Sequence, residues 1–368
     1  VNPRPPARAP APAARRVTLA ISMGDPAGIG PEVVVKAITT RAVAACIAPI
    51  LVGDPGVWHD TAQRLGARLT FADGRAHSRA GHVAVAPTSH LPARYRQPRA
   101  AHGAGAAAAC GAAAYAAILE AVRLVQAGRA RAVVTAPISK AHLVAAGHDF
   151  PGHTELLAQL CGGVPVRMMM VGTRLRVVLV TTHLKLADVP RRLTRANVLQ
   201  TIELTADALR RQFRIRAPRV AVAGLNPHAG EQGLFGDEEV RLITPAIRAA
   251  CRRGLAVSGP HAADSVFAQA VAGSYDAVVC MYHDQGLAPF KLLHFADGVN
   301  FTLGLPFVRT SPDHGTAFDI AGTGRADPRS MIAALQLAAH LVRENSKSEI
   351  RNSKQIRNSK AQNPKRGK

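Results

Sequence analysis

Three histidines in this chain follow short apolar runs rich in strand-forming residues: His183 after Leu175–Val180, His228 after Val220–Leu225 and His283 after Ala277–Met281. A histidine just past the end of a strand stands where α/β enzymes gather their working groups. Three neutral imidazoles converging from three strand ends would make an open three-ligand site for a divalent cation, with coordination positions left for a substrate. Taken singly, such a histidine is more often a satisfied, partly buried side chain. Three in the same context, flanked by glycine, asparagine and acidic residues, favour a site.

The elements that must carry these residues alternate between strand and helix. Val17–Ser22 reads as a strand, then a Gly-rich turn and a helix from about Pro31. Ile50–Gly53, Ala132–Thr135, Leu175–Thr181, Arg219–Leu225 and Ala277–Met281 read as further strands. Helices are expected over Ala106–Ala127, about Thr194–Phe213, from about Asp237, and about Pro328–Arg343. The alternation predicts an α/β fold with helices on both faces of a sheet.

Composition limits the alternatives. The chain has 368 residues and 48% hydrophobic residues, enough for one large two-lobed domain or two ordinary ones. No apolar run is judged long enough to span a bilayer, and no signal peptide is recognised. Five scattered cysteines, none spaced C-x-x-C, suggest a reducing compartment, with a cytoplasmic location expected. The net charge of +22 is concentrated at the ends: +7 in residues 345–368 and +4 in residues 1–16. Both ends are expected to be disordered, the first Pro/Ala/Arg-rich and the second polar and basic. The body is also basic, but its arginines are not interleaved with aromatics. That suits phosphates and a dinucleotide better than nucleic acid.

Several motifs could hold an anion. Met23–Glu32 (MGDPAGIGPE) opens a helix after the first strand, with Pro31 suited to the first helical position. Gly103-Ala-Gly105-Ala-Ala-Ala108 fits G-x-G-x-x-A but has no strand before it, so it is read as a helix entrance. His153 and Thr154 head a helix and can donate to a phosphate or carboxylate, although Thr154 would also serve as an N-cap. Lys291, Asn300 and Arg309 lie in Gly/Pro-broken sequence and would together hold a small phosphorylated acid. His314–Gly322 (HGTAFDIAG) is a loop of small residues and donors that could wrap an adenosine.

Together the segments SMGDPAGIGPE, VVTAPISK, GHTELLA, TTHLKLADV, LNPHAGE, GLFGDEE, GPHAADSVF, YHDQGLAPFK and VNFTLGLPFVRTSPDHGTAFDIAG resemble the 4-hydroxythreonine-4-phosphate dehydrogenase family of pyridoxal phosphate biosynthesis. The likeness runs from residue 17 to about residue 344. It implies a three-layer α/β/α fold like that of isocitrate and isopropylmalate dehydrogenases, with two subdomains and a cleft. Subdomain 1 would comprise about 17–145 plus 305–344, and subdomain 2 about 146–304. It also implies a homodimer whose active site lies at the subunit interface, with one of the three metal-binding histidines coming from the other subunit.

Carried over residue by residue, the resemblance makes His183, His228 and His283 ligands of one divalent metal (Zn, Mg, Co or Mn). It makes His153, Thr154, Lys291, Asn300 and Arg309 substrate-binding. Asp264 becomes an acidic residue near the metal, and it and Lys291 are the candidate catalytic groups. His314, Gly315 and Asp319 match the cofactor loop for NAD or NADP. Ser139 and Lys185 depart from the Asn and Pro expected there. The implied reaction oxidises 4-phosphohydroxy-L-threonine at C3 to 2-amino-3-oxo-4-phosphooxybutanoate, which decarboxylates to 3-amino-2-oxopropyl phosphate. Relatives acting on 4-phospho-D-threonate or 4-phospho-D-erythronate are the main alternative. A three-histidine phosphoesterase and a basic nucleic-acid-binding protein are remote ones.

Overall fold

The computed structural model describes residues 16–73, 82–98 and 103–361. The predicted N-terminal extension therefore lies, but for Arg16, outside the described residues. Twelve strands form one sheet. In chain order they are β1 (Val17–Ser22), β2 (Ile47–Gly53), β3 (Thr70–Asp73), β4 (His82–Pro87), β5 (Ala132–Thr135), β6 (Arg167–Val171), β7 (Arg176–Leu179), β8 (Arg219–Ala223), β9 (Ala256–His261), β10 (Ala277–Cys280), β11 (Val299–Leu303) and β12 (Val308–Pro312).

The helices are α1 (Gly30–Thr39), α2 (Arg41–Ala44), α3 (Pro55–Arg64), α4 (Ala104–Gln126), α5 (Lys140–Ala145), α6 (His153–Leu160), α7 (Val189–Arg192), α8 (Arg195–Arg211), α9 (Thr244–Arg252), α10 (Ala263–Val271), α11 (His283–His294) and α12 (Arg329–Ala361). The fold is thus the expected α/β class, a large sheet flanked by helices.

Strand order across the sheet is β3-β4-β2-β1-β5-β12-β11-β6-β7-β10-β8-β9. β1 to β5 and β12 form one parallel half. β7, β10, β8 and β9 form a second parallel block. β11 runs antiparallel to both β12 and β6, and β6 antiparallel to β7, so the two blocks run in opposite directions. Central strands such as β1, β5 and β10 are almost wholly buried, which is why they read as unbroken apolar runs.

Half of the strands were not predicted. β11 (VNFTL) and β12 (VRTSP) mix polar and apolar residues, β6 is methionine-rich, and β9 contains Gly259-Pro260. In each the strand depends on pairing with its neighbours more than on an unbroken apolar run. Gly103 does precede α4 as a helix entrance.

Three expectations need correction. α4 is long and apolar enough to pass for a membrane span by length and composition, over Gly105–Gln126. Half of that window is buried, packed against β1, β2 and β5, as in a core helix. The final helix does not stop near Arg343 but continues to Ala361, so most of the basic tail is helical. No Gly or Pro interrupts the chain between Pro328 and Pro364. The helix expected from Asp237 starts with a π-helical turn, Glu239–Ile243, before α9.

Candidate active site

The middle of the sheet is the floor of a cavity of about 370 Å³. Asn300 on β11 lies directly opposite Ser311 on β12, so the two project from the same face. Thr302 and Arg309, two residues away on the same strands, share that face. Arg309 is 1% exposed. Its Nη1 donates to Thr302 Oγ1 at 2.9 Å and its Nη2 to Thr135 Oγ1 at 2.6 Å. Its Nε has no partner. Burial pushes the guanidinium down to about 9, against a raising influence from Glu155, and the group stays cationic at neutral pH.

The walls come from helix starts and loops. α6 presents His153 and Thr154. Gly152, not Thr154, is the N-cap of α6 and no side chain caps it, so the capping role weighed for Thr154 is not used. His153 Nε2 is buried without a partner. Desolvation, reinforced by the nearby Arg309 charge, holds this imidazole well below its usual range. Lys291 on α11 faces Asp313, Nζ to Oδ2 3.4 Å. Burial raises the Asp313 carboxyl, and Lys291 opposes that. His314 Nδ1 lies 3.1 Å from the Gly315 carbonyl, whereas its Nε2 is buried and unpartnered.

Among the described residues, five buried polar atoms without a hydrogen-bond partner line one cavity: His153 Nε2, Asn300 Oδ1, Arg309 Nε, Asp313 Oδ2 (which has only the Lys291 ion pair) and His314 Nε2. Such atoms are costly unless something pairs with them. Lys140, Lys291 and Arg309 outnumber Glu155 and Asp313 on the lining, so the missing partner is anionic in character.

At one end stand His183 and His283. The β7–β10 ladder continues past both strands: Val180 N–H donates to the Cys280 carbonyl, and the Thr181 backbone N–H and hydroxyl both donate to that of Met281. That extension puts the two rings side by side, with centroids 5.5 Å apart. His283 Nδ1 is 2.7 Å from Asp284 Oδ1, which leaves Nε2 open, as a carboxylate-oriented metal ligand requires. Desolvation, then Lys140 and His283, lower the pKa of His183, which favours the neutral, ligating form.

His228 is not with them. It is exposed and does not line the cavity. Among the described residues no three His, Cys, Asp or Glu side chains of one chain come close enough to hold a metal ion. His228 opens a turn of five residues in the left-handed region: His228 (φ 52°), Ala229 (54°), Gly230 (83°), Glu231 (41°) and Gln232 (57°). This conformation costs about 1–2 kcal/mol for each non-glycine residue. Asp264 is also exposed and outside the cavity, on α10, which packs against the His228 turn.

Of the predicted cofactor loop, His314 and Gly315 line the cavity, whereas Asp319 is exposed and does not. The loop rests on the MGDPAGIGPE turn: Ile29 N–H donates to the Thr316 carbonyl at 2.9 Å. A Cβ at Gly28 would lie 2.9 Å from that same oxygen, so glycine allows the close approach. Ser139 N-caps α5 by accepting from His142 N–H, which Asn does equally well, so this departure has a structural explanation. Lys185 is exposed beyond β7.

Sequence reasoning missed Thr135, Lys140, Ser311 and Asp313. Lys140 sits in VVTAPISK and Asp313 directly precedes His314, so proximity to recognised motifs was an available signal. Thr135 and Ser311 were invisible without strand register.

An α/β sheet with a cavity at its middle, lined by cations and by a histidine pair at one end, has the layout of an enzyme of this architecture. The particular class follows from the comparisons. The model of the family described as pyridoxal phosphate biosynthetic protein PdxA matches residues 45–338, and the chain belongs to that family. It is 51% identical over 329 residues to the 4-hydroxythreonine-4-phosphate dehydrogenase of Geobacter metallireducens, covering 88% of this chain and 95% of that one. It is 45% identical over 329 residues to the D-threonate 4-phosphate dehydrogenase of Salmonella typhimurium, covering 88% and 99%. A crystal structure of a 4-hydroxythreonine-4-phosphate dehydrogenase from Burkholderia phymatum aligns with TM-score 0.76 and 42% identity, over 89% of this chain and 99% of that one. The protein is thus a dehydrogenase, an oxidoreductase.

Proposed function

We propose that the protein oxidises the C3 hydroxyl of 4-phosphohydroxy-L-threonine with NAD or NADP, giving a β-keto acid that loses CO2, in the cytoplasmic synthesis of pyridoxine phosphate. The observation that carries this reading is the convergence of five buried polar atoms without hydrogen-bond partners on one cavity whose cations outnumber its carboxylates. Arg309, Asn300, His153 and Thr154 bind the phosphorylated, carboxylated substrate. Arg309 is already held on two sides by Thr135 and Thr302, so its Nε and the cavity face remain for the anion.

His183 and His283, with His228 of a second copy, would hold one divalent cation (zinc, cobalt, manganese or magnesium), which supplies Lewis acidity to the substrate hydroxyl. The donor set fits: two adjacent imidazoles, one oriented by a carboxylate, and a third exposed on the same chain away from them. Bound NAD or NADP would supply the hydride acceptor, while the protein supplies orientation and charge. Lys291, beside the half-buried Asp313, would take the hydroxyl proton.

A homodimer supports this arrangement. Each of the three histidine segments is followed by exposed apolar side chains: Leu184 and Leu186, Leu234 and Phe235, Leu292 and Phe295. Apolar residues this exposed around a polar site suit a subunit interface.

The identity to D-threonate 4-phosphate dehydrogenase favours one second reading, with 4-phospho-D-threonate or 4-phospho-D-erythronate as substrate. The deciding experiment follows NADH formation by metal-loaded protein on all three substrates, with and without chelator. Chelator-sensitive turnover on 4-phosphohydroxy-L-threonine is expected. Turnover only on the sugar acids would favour the second reading, and no NADH from any substrate would sink both.

A further inference from the structure

The left-handed turn that carries His228 needs something to hold it. Glu239 is 2% exposed, and its carboxylate faces the base of the turn. Oε1 accepts from Leu225 N–H and Asn226 N–H, both at 2.7 Å, and Oε2 accepts from Asn226 Nδ2 at 2.9 Å. Asn226 Nδ2 also donates to Glu238 Oε2 at 2.8 Å. Glu239 forms no ion pair within 4 Å among the described residues, so its charge is met there by N–H donors.

The fit is close enough to exclude side chains. A Cβ at Gly230 would lie 2.7 Å from Glu239 Oε2, and one at Gly224 would lie 2.8 Å from Ala229 Cα and 3.1 Å from Glu239 Oε1. From the opposite side, Gln285 Nε2 donates to the Gly224 carbonyl at 2.6 Å, and Gln285 Oε1 accepts from Met281 N–H at 2.7 Å. Residues 224–226 are therefore gripped by Glu239 on their N–H groups and by Gln285 on a carbonyl. Gln285 also ties the end of β8 to the end of β10, the strand that leads to His283. Glu239 itself opens a π-helical turn, an irregularity often found at functional sites.

We propose that Glu239 is a positioning residue for His228, holding the turn left-handed before any cation or second chain arrives. This rests on the reading of His228 as a metal ligand. An uncharged amide in place of Glu239 keeps the acceptor for the two backbone N–H groups but sets a donor against the Asn226 amide. The turn is then released while the surrounding core is unchanged.

The test compares wild type, E239Q and H228A as full chains without metal. Cobalt(II) is titrated by calorimetry, and hydrogen exchange is followed over residues 225–235. E239Q is expected to weaken cobalt binding about tenfold or more, as outer-shell substitutions do, and to speed exchange across the turn. H228A is expected to weaken cobalt binding while leaving exchange slow. If E239Q binds cobalt as wild type does, or leaves exchange slow, the positioning role is wrong. If H228A binds cobalt as wild type does, the ligand reading fails, and the exchange data still judge Glu239. Should E239Q fail to fold, N226A, which removes the Nδ2 bonds alone, is expected to show the same two changes at smaller size, and wild-type behaviour in both would overturn the proposal.

Discussion

Thr135, at the end of β5, accepts a 2.6 Å hydrogen bond from Arg309 of β12, which places a guanidinium in the sheet floor with almost no solvent contact. A buried cation with an unsatisfied Nε is a poor choice for stability and a good one for binding an anion. Arg309→Met is therefore expected to reduce kcat/KM by about a hundredfold or more, a loss of roughly 3 kcal/mol of the kind seen for buried charge pairs. The same variant should melt at or above the wild-type temperature. Steady-state kinetics and thermal melts of one preparation check both halves. A large drop in melting temperature would mean that Arg309 is mainly structural.

Because His183 and His283 share one chain's cavity and His228 does not, a dimer with shared sites should complement. H228A and H283A are each expected to be inactive. Unfolded together and refolded in equal amounts, they should recover about a quarter of wild-type activity, since half of the dimers are mixed and each carries one intact site of two. No recovery would remove His228 from a site shared between two subunits.

Acid should destabilise the metal-free protein. Burial lowers the pKa of His153, His261 and His314. The unfolded chain then takes up protons first as pH falls below about 6.5, so stability is whole above that pH and is lost below it. His142 acts oppositely. Its hydrogen bond with the buried Asp25 raises its pKa, so its contribution is present below about 6.5 and lost as pH rises through the raised value. Melting temperature between pH 7 and pH 5 (roughly the histidine range) should fall less steeply in H153Q and more steeply in H142N. Parallel curves for all three proteins would contradict the assignment.

Gly111, inside α4, is a place where helix propensity and packing disagree. Alanine there would normally gain about 1 kcal/mol. Its Cβ, however, would overlap the His142 carbonyl of α5. Overpacking against backbone costs about 1–3 kcal/mol, so G111A is expected to be destabilised on balance. Urea unfolding decides the sign.

What the sequence revealed follows from how locally each signal is written. β1, β5 and β10 are legible because buried parallel strands are apolar along their whole length. β11 and β12 were not, although Asn300 and Arg309 on them were picked out by type. Their strand character comes from antiparallel pairing at the centre of the sheet. Asn300, Arg309, His153, His183 and His283 do meet in one cavity, whereas His228, Asp264 and Asp319 lie outside it. Thr135 and Ser311 enter through register, and Glu239 through a buried hydrogen-bond network. Neither leaves a trace in residue spacing.

The β11–β12 pairing joins the two halves of the sheet through only a few registered residues: Val299 with Pro312, Asn300 with Ser311 and Phe301 with Thr310. Asn300 belongs to one half and Arg309 to the other. A ligand held by both acts as a rivet across the seam, resisting any shear of one half against the other. Substrate occupancy should then be readable as mechanics: a saturated protein resists pulling apart at β11–β12, and an empty one yields there first.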